Sequence, residues 1–344
     1  MTVDESQTDT NTTDDDLTAA DVAWNIDTIL PDGATPADLF DRAAALADEL
    51  TSLRGRVGTL DAGELAAAMH TLAELQDLMS RAGYHAMLAF STATDDPARG
   101  AAMAAAQERS TAIGTKLIFI DLEWAAADDD HVASVLADPR LDFCRHHLDN
   151  LRLSRPYLLS EAEETIVAEK SQTGFAAWTR LFDELTSAIA VDLPDELGGP
   201  GRPLMQATSM LQHPDRDVRK KVAEGINVGL EPGLRTRAFL FNTLLLDKSI
   251  DDRLRGYPSW ISSRNLANEA SDESVQALVD AVVDNYSIPQ RWYALKAKVL
   301  GIDKLADYDR MASVATTDRD IGWAEGTQIV RDAYASFSPE LAGI

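Results

Sequence analysis

Apolar residues recur every three or four positions through most of the chain, which is the spacing of one face of an α-helix. The clearest stripe follows Asp61, and its apolar members are Leu65, Met69, Leu72, Leu75 and Met79. Asp61 and Glu64 stand three residues apart at its start, as in a capping box that begins a helix. The pattern therefore predicts a helix from Asp61 to about Ser80.

The same spacing predicts helices along most of the remaining chain. Thr35 followed by Pro36 is a favoured helix start and predicts a helix to about Arg54. Ser160, with Glu163 three residues later, is a second capping signal. The other predicted helices lie at about 82–93, 97–127, 130–137, 139–149, 160–173, 206–212, 215–229, 232–255, 271–286, 288–301 and 318–336.

The helical pattern breaks at residues 187–205. Strand-favouring residues such as Val191 and Leu193 precede the cluster Gly198-Gly199-Pro200-Gly201, which is incompatible with a helix. The cluster lacks the Gly-Lys-Ser/Thr ending of a phosphate-binding loop, so we interpret it as a hairpin turn. The sequence thus predicts an all-α, mostly helical and two-lobed protein with one small β-hairpin insertion near 187–205.

Acidic residues outnumber basic ones along the whole chain. The net charge is −26, and only 8 of the 31 basic residues are lysines. Residues 1–20, rich in Thr and Asp, are predicted to form a disordered acidic tail because they cannot bury enough apolar surface. The spread of acid predicts a protein adapted to high salt, as in halophilic archaea, and a surface that binds a basic partner is the alternative. Both interpretations disfavour nucleic acid and anionic membranes as partners.

Residues that carry chemistry are sparse. A single cysteine, Cys144, excludes an intrachain disulfide framework and indicates a reducing, cytoplasmic location. We interpret Cys144 as a small buried apolar residue rather than as a nucleophile. No Gly-x-Ser-x-Gly elbow occurs, and no apolar run approaches the roughly 18 residues of a membrane span.

The histidines do not form a metal-binding motif. They are His70, His85, His131, His146, His147 and His213, and no two of them are spaced as His-Glu-x-x-His. His146 and His147 are adjacent and would point in different directions from a helix. We expect ion pairs at four-residue spacing instead, between Asp142 and His146 and between His70 and Glu74.

Three collinear segments carry a resemblance to a known family. The first begins Arg155-Pro-Tyr-Leu-Leu-Ser-Glu-Ala-Glu-Glu and runs to Leu185. The second is Leu211-Gln-His-Pro-Asp-Arg-Asp-Val-Arg-Lys220, and the third begins Arg255-Gly-Tyr-Pro-Ser and ends at Asp309. In their order and spacing these segments resemble the oligoendopeptidase F branch of the thimet-oligopeptidase-like zinc metallopeptidases.

The resemblance implies an enzyme that hydrolyses short peptides in a channel between two helical lobes. Members hold zinc through His-Glu-x-x-His and a later glutamate, and the zinc activates a water molecule. No catalytic or metal-binding residue of this chain matches that motif, so we expect the chain alone to bind no zinc and to be inactive. Residues 21–205 would form the N-terminal lobe with the hairpin, and 206–344 the start of a catalytic domain that stops before the zinc motif.

Three alternatives remain open at this stage. The chain is the N-terminal part of an oligoendopeptidase, one half of a split peptidase completed by a zinc-bearing C-terminal half, or a helical peptide-binding or scaffold module without catalysis. We favour the first. The DNA that follows the last codon distinguishes them, because a His-Glu-x-x-His in the continuing sequence supports the first and a separate downstream gene supports the second.

The segment from Arg255 to Arg264 is the strongest candidate for ligand contact. It is a predicted helix break rich in aromatic and hydroxyl groups. Tyr257 and Trp260 would contact peptide side chains in the substrate channel, and Arg264 would bind a carboxylate. Packing between the lobes, with Tyr257 and Trp260 as buried aromatic residues, is the interpretation that we favour over ligand contact.

The charge generates a prediction about salt. The Debye length, beyond which charges are largely screened from one another, is about 30 Å at 0.01 M salt and about 3 Å at 1 M. Low salt therefore leaves the repulsion among carboxylates nearly intact. We expect the thermal midpoint, measured by circular dichroism, to rise from dilute buffer to molar KCl. An unchanged midpoint would contradict adaptation to high salt.

Overall fold

A computed structural model describes residues 23–314 and 321–343. The predicted tail at 1–20 lies outside the described residues, as does the beginning of the helix predicted at 318–336. The first helices are α1 (Pro36–Leu50), α2 (Ala62–Ser91), α3 (Pro97–Ala126), α4 (Asp129–Leu136), α5 (Arg145–Leu153), α6 (Glu161–Ser171) and α7 (Phe175–Ser187). After the hairpin follow α8 (Leu204–Ser209), α9 (Arg216–Leu230), α10 (Leu234–Arg255), α11 (Ser262–Ala267), α12 (Asp272–Asp284), α13 (Ser287–Val299), α14 (Trp323–Phe337) and α15 (Pro339–Ala342).

The predicted fold class is confirmed. The described residues are mostly helical, with one small antiparallel sheet of strands β1 (Ala190–Val191) and β2 (Arg202–Pro203). Residues 26–312 form one compact unit, whereas α14 and α15 belong to a second unit, in which they pack on each other. The predicted domain boundary at residue 205 stays a prediction.

Local signals gave the helix starts correctly but not every helix. All three capping signals are formed, and the Asp61 carboxylate accepts hydrogen bonds from the amides of Gly63 at 2.7 Å and Glu64 at 2.9 Å. The predicted end of this helix at Ser80 was wrong. Helix α2 continues to Ser91 because Ala82 is fully buried and no helix-breaking residue intervenes. Helices α7, α11 and α15 were not predicted, and α5 begins at Arg145 rather than at the predicted residue 139.

The main core lies among α1, α2 and α3, with α4 and α5 closing one end. Its largest fully buried side chain is that of Trp124, whose indole Nε1 donates to the carbonyl oxygen of Leu148 at 2.9 Å. Cys144 is buried in this core, as predicted, and its burial raises the pKa of the thiol. This cysteine therefore serves packing rather than nucleophilic chemistry.

The hairpin forms a second, smaller core with α9. Strand residue Val191 and helix residue Val222 are both fully buried there. Helix α9 approaches β1 closely because it carries glycine at the contact, and a Cβ at Gly229 would lie only 2.8 Å from the carbonyl oxygen of Ala190. The hairpin therefore fixes the position of α9 instead of projecting into solvent.

A buried carboxylate joins α9 to the chain beyond α13. Asp309 is 0% exposed and accepts hydrogen bonds from Arg216 at 2.9 Å and from Arg219 at 2.8 Å. Burial alone would raise the pKa of the Asp309 carboxyl, but hydrogen bonds from Arg216, the Ala306 amide and Arg219 lower it to about 2. Lys296 of α13 is also buried and donates to the carbonyl oxygen of Arg310 at 2.7 Å.

Replacing this carboxylate should destabilise the compact unit. Asp309→Asn leaves Arg219 buried without its counter-charge, so we expect the free energy of unfolding to fall by about 3 kcal/mol. Urea titration measures the change, with Glu196→Gln as the control because the pair between Glu196 and Lys221 is exposed. Equal effects of the two substitutions would contradict a stabilising role for Asp309.

Candidate functional site

The predicted helix break lies between α10 and α11. Gly256 ends α10 with a φ of +78°, a conformation that favours glycine. The Tyr257 amide then donates to the carbonyl oxygen of Asp252 at 2.9 Å and closes the helix end. Residues 256–261 form the connecting loop, which holds Tyr257 and Trp260, while Arg264 lies on α11.

The three candidate residues have different surroundings. Tyr257 is half-buried and stacks on Tyr157, with 4.1 Å between ring centroids, and its burial raises the pKa of the phenol. Trp260 is 76% exposed. Arg264 is exposed, and its guanidinium forms no ion pair with any of the described residues. Packing therefore accounts for Tyr257, whereas Trp260 and Arg264 are accessible to a ligand.

Two cavities meet at Tyr257. One has a volume of about 490 Å³ and is lined by Tyr257, Trp260 and Lys248, among others. The second, of about 280 Å³, is lined by Tyr257, His147 and polar residues of α5 and α11. The structure thus brings Tyr257 and Trp260 to the same cavity, but it places Arg264 in the lining of neither.

A polar network lies beneath the larger cavity. Asp252 of α10 is buried and accepts from Lys248 Nζ at 2.5 Å and from the Ser263 hydroxyl at 3.0 Å. The same Lys248 Nζ donates to Ser263 Oγ at 3.0 Å. The network fixes α11 against α10 and presents Lys248 at the cavity. This network was not predicted, although the four-residue spacing of Lys248 and Asp252 was a usable signal.

A two-pronged ion pair anchors the loop to α6. Arg255, the last residue of α10, donates to both oxygens of Glu164, at 2.7 and 2.9 Å. Their side chains are only 17% and 15% exposed. Glu164 also accepts from the Leu159 amide at 3.0 Å. Burial alone would raise the pKa of the Glu164 carboxyl, but the hydrogen bonds from Arg255 and Leu159 outweigh it and lower that pKa.

A second polar cluster borders the smaller cavity. His146 Nε2 lies 2.7 Å from a carboxylate oxygen of Glu269, and Asn150 Nδ2 lies 2.6 Å from the other. Glu269 has a φ of +54°, an uncommon conformation for a residue other than glycine. The expected pairing of His146 with Asp142 was wrong, since Asp142 binds Arg145. The partner of His146 is remote in sequence, so spacing along a helix gave no signal for it.

The expected pair between His70 and Glu74 is also absent. The imidazole of His70 stacks on the ring of Phe143, with 4.0 Å between centroids. The Glu74 carboxylate binds Arg42 of α1 instead. A parallel aromatic contact buries more ring surface than an exposed helical ion pair would, so packing decides the position of His70.

The described side chains do not fit a zinc ion. Across the described part of the chain, no group of three or more His, Cys, Asp or Glu residues is placed to hold a metal. The histidines have other neighbours: His131 Nε2 lies 3.2 Å from the carbonyl oxygen of Leu60, and His85 Nε2 lies 2.9 Å from Asp27. The candidate site therefore brings aromatic and polar side chains together, and none of its described groups forms a metal centre.

None of the helices that the structure describes combines the length and the apolar composition needed to span a bilayer.

Comparisons with known proteins support the resemblance seen in the sequence. A family model described as Oligopeptidase F matches residues 123–190. Group B oligopeptidase PepB of Streptococcus agalactiae is 25% identical over 215 residues, which cover 61% of this chain and 35% of that protein. An oligoendopeptidase F homolog of Lactococcus lactis is 22% identical over 203 residues, which cover 58% of this chain and 33% of that protein. The chain thus spans about a third of the length of the curated relatives it matches.

The structural comparison extends further along the chain. The crystal structure of oligoendopeptidase-F from Enterococcus faecium superposes with a TM-score of 0.72 at 18% identity. The superposition covers 90% of this chain and 65% of that one. This likeness establishes a shared fold, and the chain is similar to oligopeptidases of the F type in sequence as well.

The ion pair between Arg255 and Glu164 leads to a prediction about stability. Glu164→Gln removes the carboxylate, and we expect the free energy of unfolding at neutral pH to fall by about 2 kcal/mol. The folded-state pKa of Glu164 is lowered, so its contribution is present above the ordinary value of 4.5 and is lost as the pH falls through the lowered value. Urea titrations of both proteins across this range should therefore converge in acid.

Glu161→Gln is the matched control. Glu161 lies on the same helix and pairs with Arg54, but both side chains are 44% exposed. A smaller effect is expected there because solvent screens the pair. Should Glu164→Gln be as stable as the wild type at neutral pH, the anchoring role of this pair would be wrong.

Proposed function

We propose that these 344 residues form the part of a zinc-dependent oligoendopeptidase that holds short peptides, and that hydrolysis requires a zinc-bearing polypeptide packed against it. The similarity to oligopeptidases of the F type supports the peptide substrate. No group of three or more His, Cys, Asp or Glu residues among the described side chains is placed to hold a metal, and our proposal gives the zinc to the second polypeptide. This chain's own contribution is to bind and orient the peptide.

The observation that carries this proposal is a set of large apolar side chains that α10, α12 and α13 leave exposed. Helix α10 is apolar on several sides, yet it exposes Phe239, Phe241, Leu245, Leu246, Ile250 and Leu254. Exposed large apolar side chains on α12 and α13 include Leu278, Val282, Ile288, Trp292, Leu295 and Val299. Helices that are apolar on most sides are normally buried within a larger protein, and exposed patches of this kind mark interaction sites.

The exposed surface adjoins the loop of the candidate site. Helix α10 carries part of the surface and ends at Arg255, immediately before Tyr257 and Trp260. A polypeptide covering α10 would therefore lie beside the cavity of about 490 Å³ and could enclose a peptide there. Trp260 would face this peptide through its apolar ring, whereas Lys248, whose ammonium is paired with Asp252, would line the cavity through its methylene groups.

The test is hydrolysis of an internally quenched fluorescent peptide in molar salt. We expect no hydrolysis by the 344-residue chain, with or without added zinc, and no stoichiometric zinc after chelator-free purification. Hydrolysis should appear when a polypeptide carrying the zinc motif of an F-type relative is added. A partner polypeptide with its motif glutamate replaced is the control.

Each outcome decides between the alternatives. Hydrolysis by the chain alone, inhibited by a chelator and free of contaminating protease, would overturn the proposal. Peptide binding without restored hydrolysis in the presence of the zinc-bearing polypeptide would favour a binding or scaffold module instead.

A further inference from the structure

A large cavity lies away from the α10–α11 loop, between the long helices α2 and α3 and helix α7. Its main part has a volume of about 690 Å³, and an adjoining part has about 430 Å³. Both parts are lined by Met87, Met103, Gln107 and Ala176, so they form one continuous space. Volumes of this size are typical of ligand sites. We call this space the methionine cavity.

Methionine is concentrated here. The chain has eight methionines, and four of them line the cavity: Met79, Met87, Met103 and Met205. Aromatic residues complete the apolar wall, and Met205, Tyr84 and Phe175 are 77%, 57% and 57% exposed. Methionine side chains are flexible and polarizable, so a wall built from them can adapt to apolar ligands of different shapes.

The polar groups in the wall suit a peptide backbone. Gln107 of α3 and Gln172, which follows α6, are half-buried in the lining. Neither side-chain amide forms a hydrogen bond with another described residue, whereas half-buried amides usually have a partner. Each amide offers donors and an acceptor, which is what the N–H and C=O groups of an extended peptide require.

The charges around the cavity disfavour an acidic occupant. In its lining only Arg180 and Asp183 are charged. Arg180 is compensated by Glu184 at 2.7 Å and lies over the ring of Phe90. Asp183 forms no ion pair with another described residue, and the whole chain carries −26, so both the lining and the chain repel acidic segments. An acidic peptide segment would lose hydration here without gaining a free cationic partner.

We propose that the methionine cavity binds an uncharged, apolar segment of an extended peptide. Apolar side chains of the peptide would pack against Met87, Met103 and Met205, and the Gln107 amide would form hydrogen bonds with the peptide backbone. This inference rests on the proposed peptide-holding function and adds a subsite that discriminates peptides by their apolar character. It requires no covalent step.

The test measures direct binding of short fluorescent peptides to the 344-residue chain in molar salt. The probe is N-acetylated, C-amidated and rich in Leu and Phe, and a matched peptide carries Ser in their place. We expect the apolar probe to bind more tightly than the Ser peptide. Met205→Asp and Gln107→Leu should each weaken binding of the apolar probe roughly tenfold.

Met311→Asp is the matched control, since Met311 is 51% exposed and lies outside the cavity. The Met311→Asp variant should bind the apolar probe as tightly as the wild type does. Circular dichroism verifies that all variants are folded. Met205 is well exposed, so its replacement is not expected to disturb the core.

Three results would overturn the inference. They are no binding of the apolar probe by the folded chain, equal binding of the two peptides, or binding that neither cavity substitution changes. If Met205→Asp alters the sedimentation coefficient but not peptide binding, a second copy of the chain occupies the cavity and the inference is wrong. These results are distinguishable from failure of the proposed function, which appears as absent hydrolysis with the zinc-bearing polypeptide.

Discussion

The ion pair between Arg255 and Glu164 determines where the candidate site lies. It joins the end of α10 to α6 across 91 residues of sequence, through two hydrogen bonds shielded from most solvent. The stacking of Tyr257 on Tyr157 and the cavities on both sides of Tyr257 depend on this connection. Because the pair is largely desolvated, removing Arg255 leaves the Glu164 carboxylate poorly stabilised, and removing Glu164 leaves Arg255 with Asp251 as its only ion-pair partner among the described residues.

Buried and exposed charges have different roles in this protein. The carboxylates of Glu164 and Asp309 are shielded from most solvent and form ion pairs with arginine, so they join segments that are distant in the sequence. Most of the described acidic side chains lie at the surface instead, where screening by salt sets the cost of their repulsion. Salt should therefore change overall stability far more than it changes the geometry of the candidate site.

Structural features that depend only on neighbouring residues, such as helix caps, were predicted correctly from the sequence. Thr35, Asp61 and Ser160 cap helices as expected, because a cap needs only residues three or four positions away. Contacts between distant residues left no such signal, and the pairing of His146 with Glu269 appears only in the folded chain. The segments 61–80 and 82–93 were predicted as two helices but form the single helix α2. The spacing of apolar residues does not show that Ala82 is buried. The same limit hid the methionine cavity, whose lining comes from separate helices.

The proposed function requires a zinc-bearing polypeptide to cover the exposed apolar side chains of α12 and α13. Hydrogen–deuterium exchange followed by mass spectrometry tests it most directly, because exchange reports local opening. In the isolated chain, we predict fast exchange of α12 and α13 beside slow exchange of the buried α2 and α3. Adding the zinc-bearing polypeptide should slow exchange in α12 and α13 and leave α2 and α3 unchanged. Equal exchange of α12 and α13 with and without that polypeptide would contradict the account.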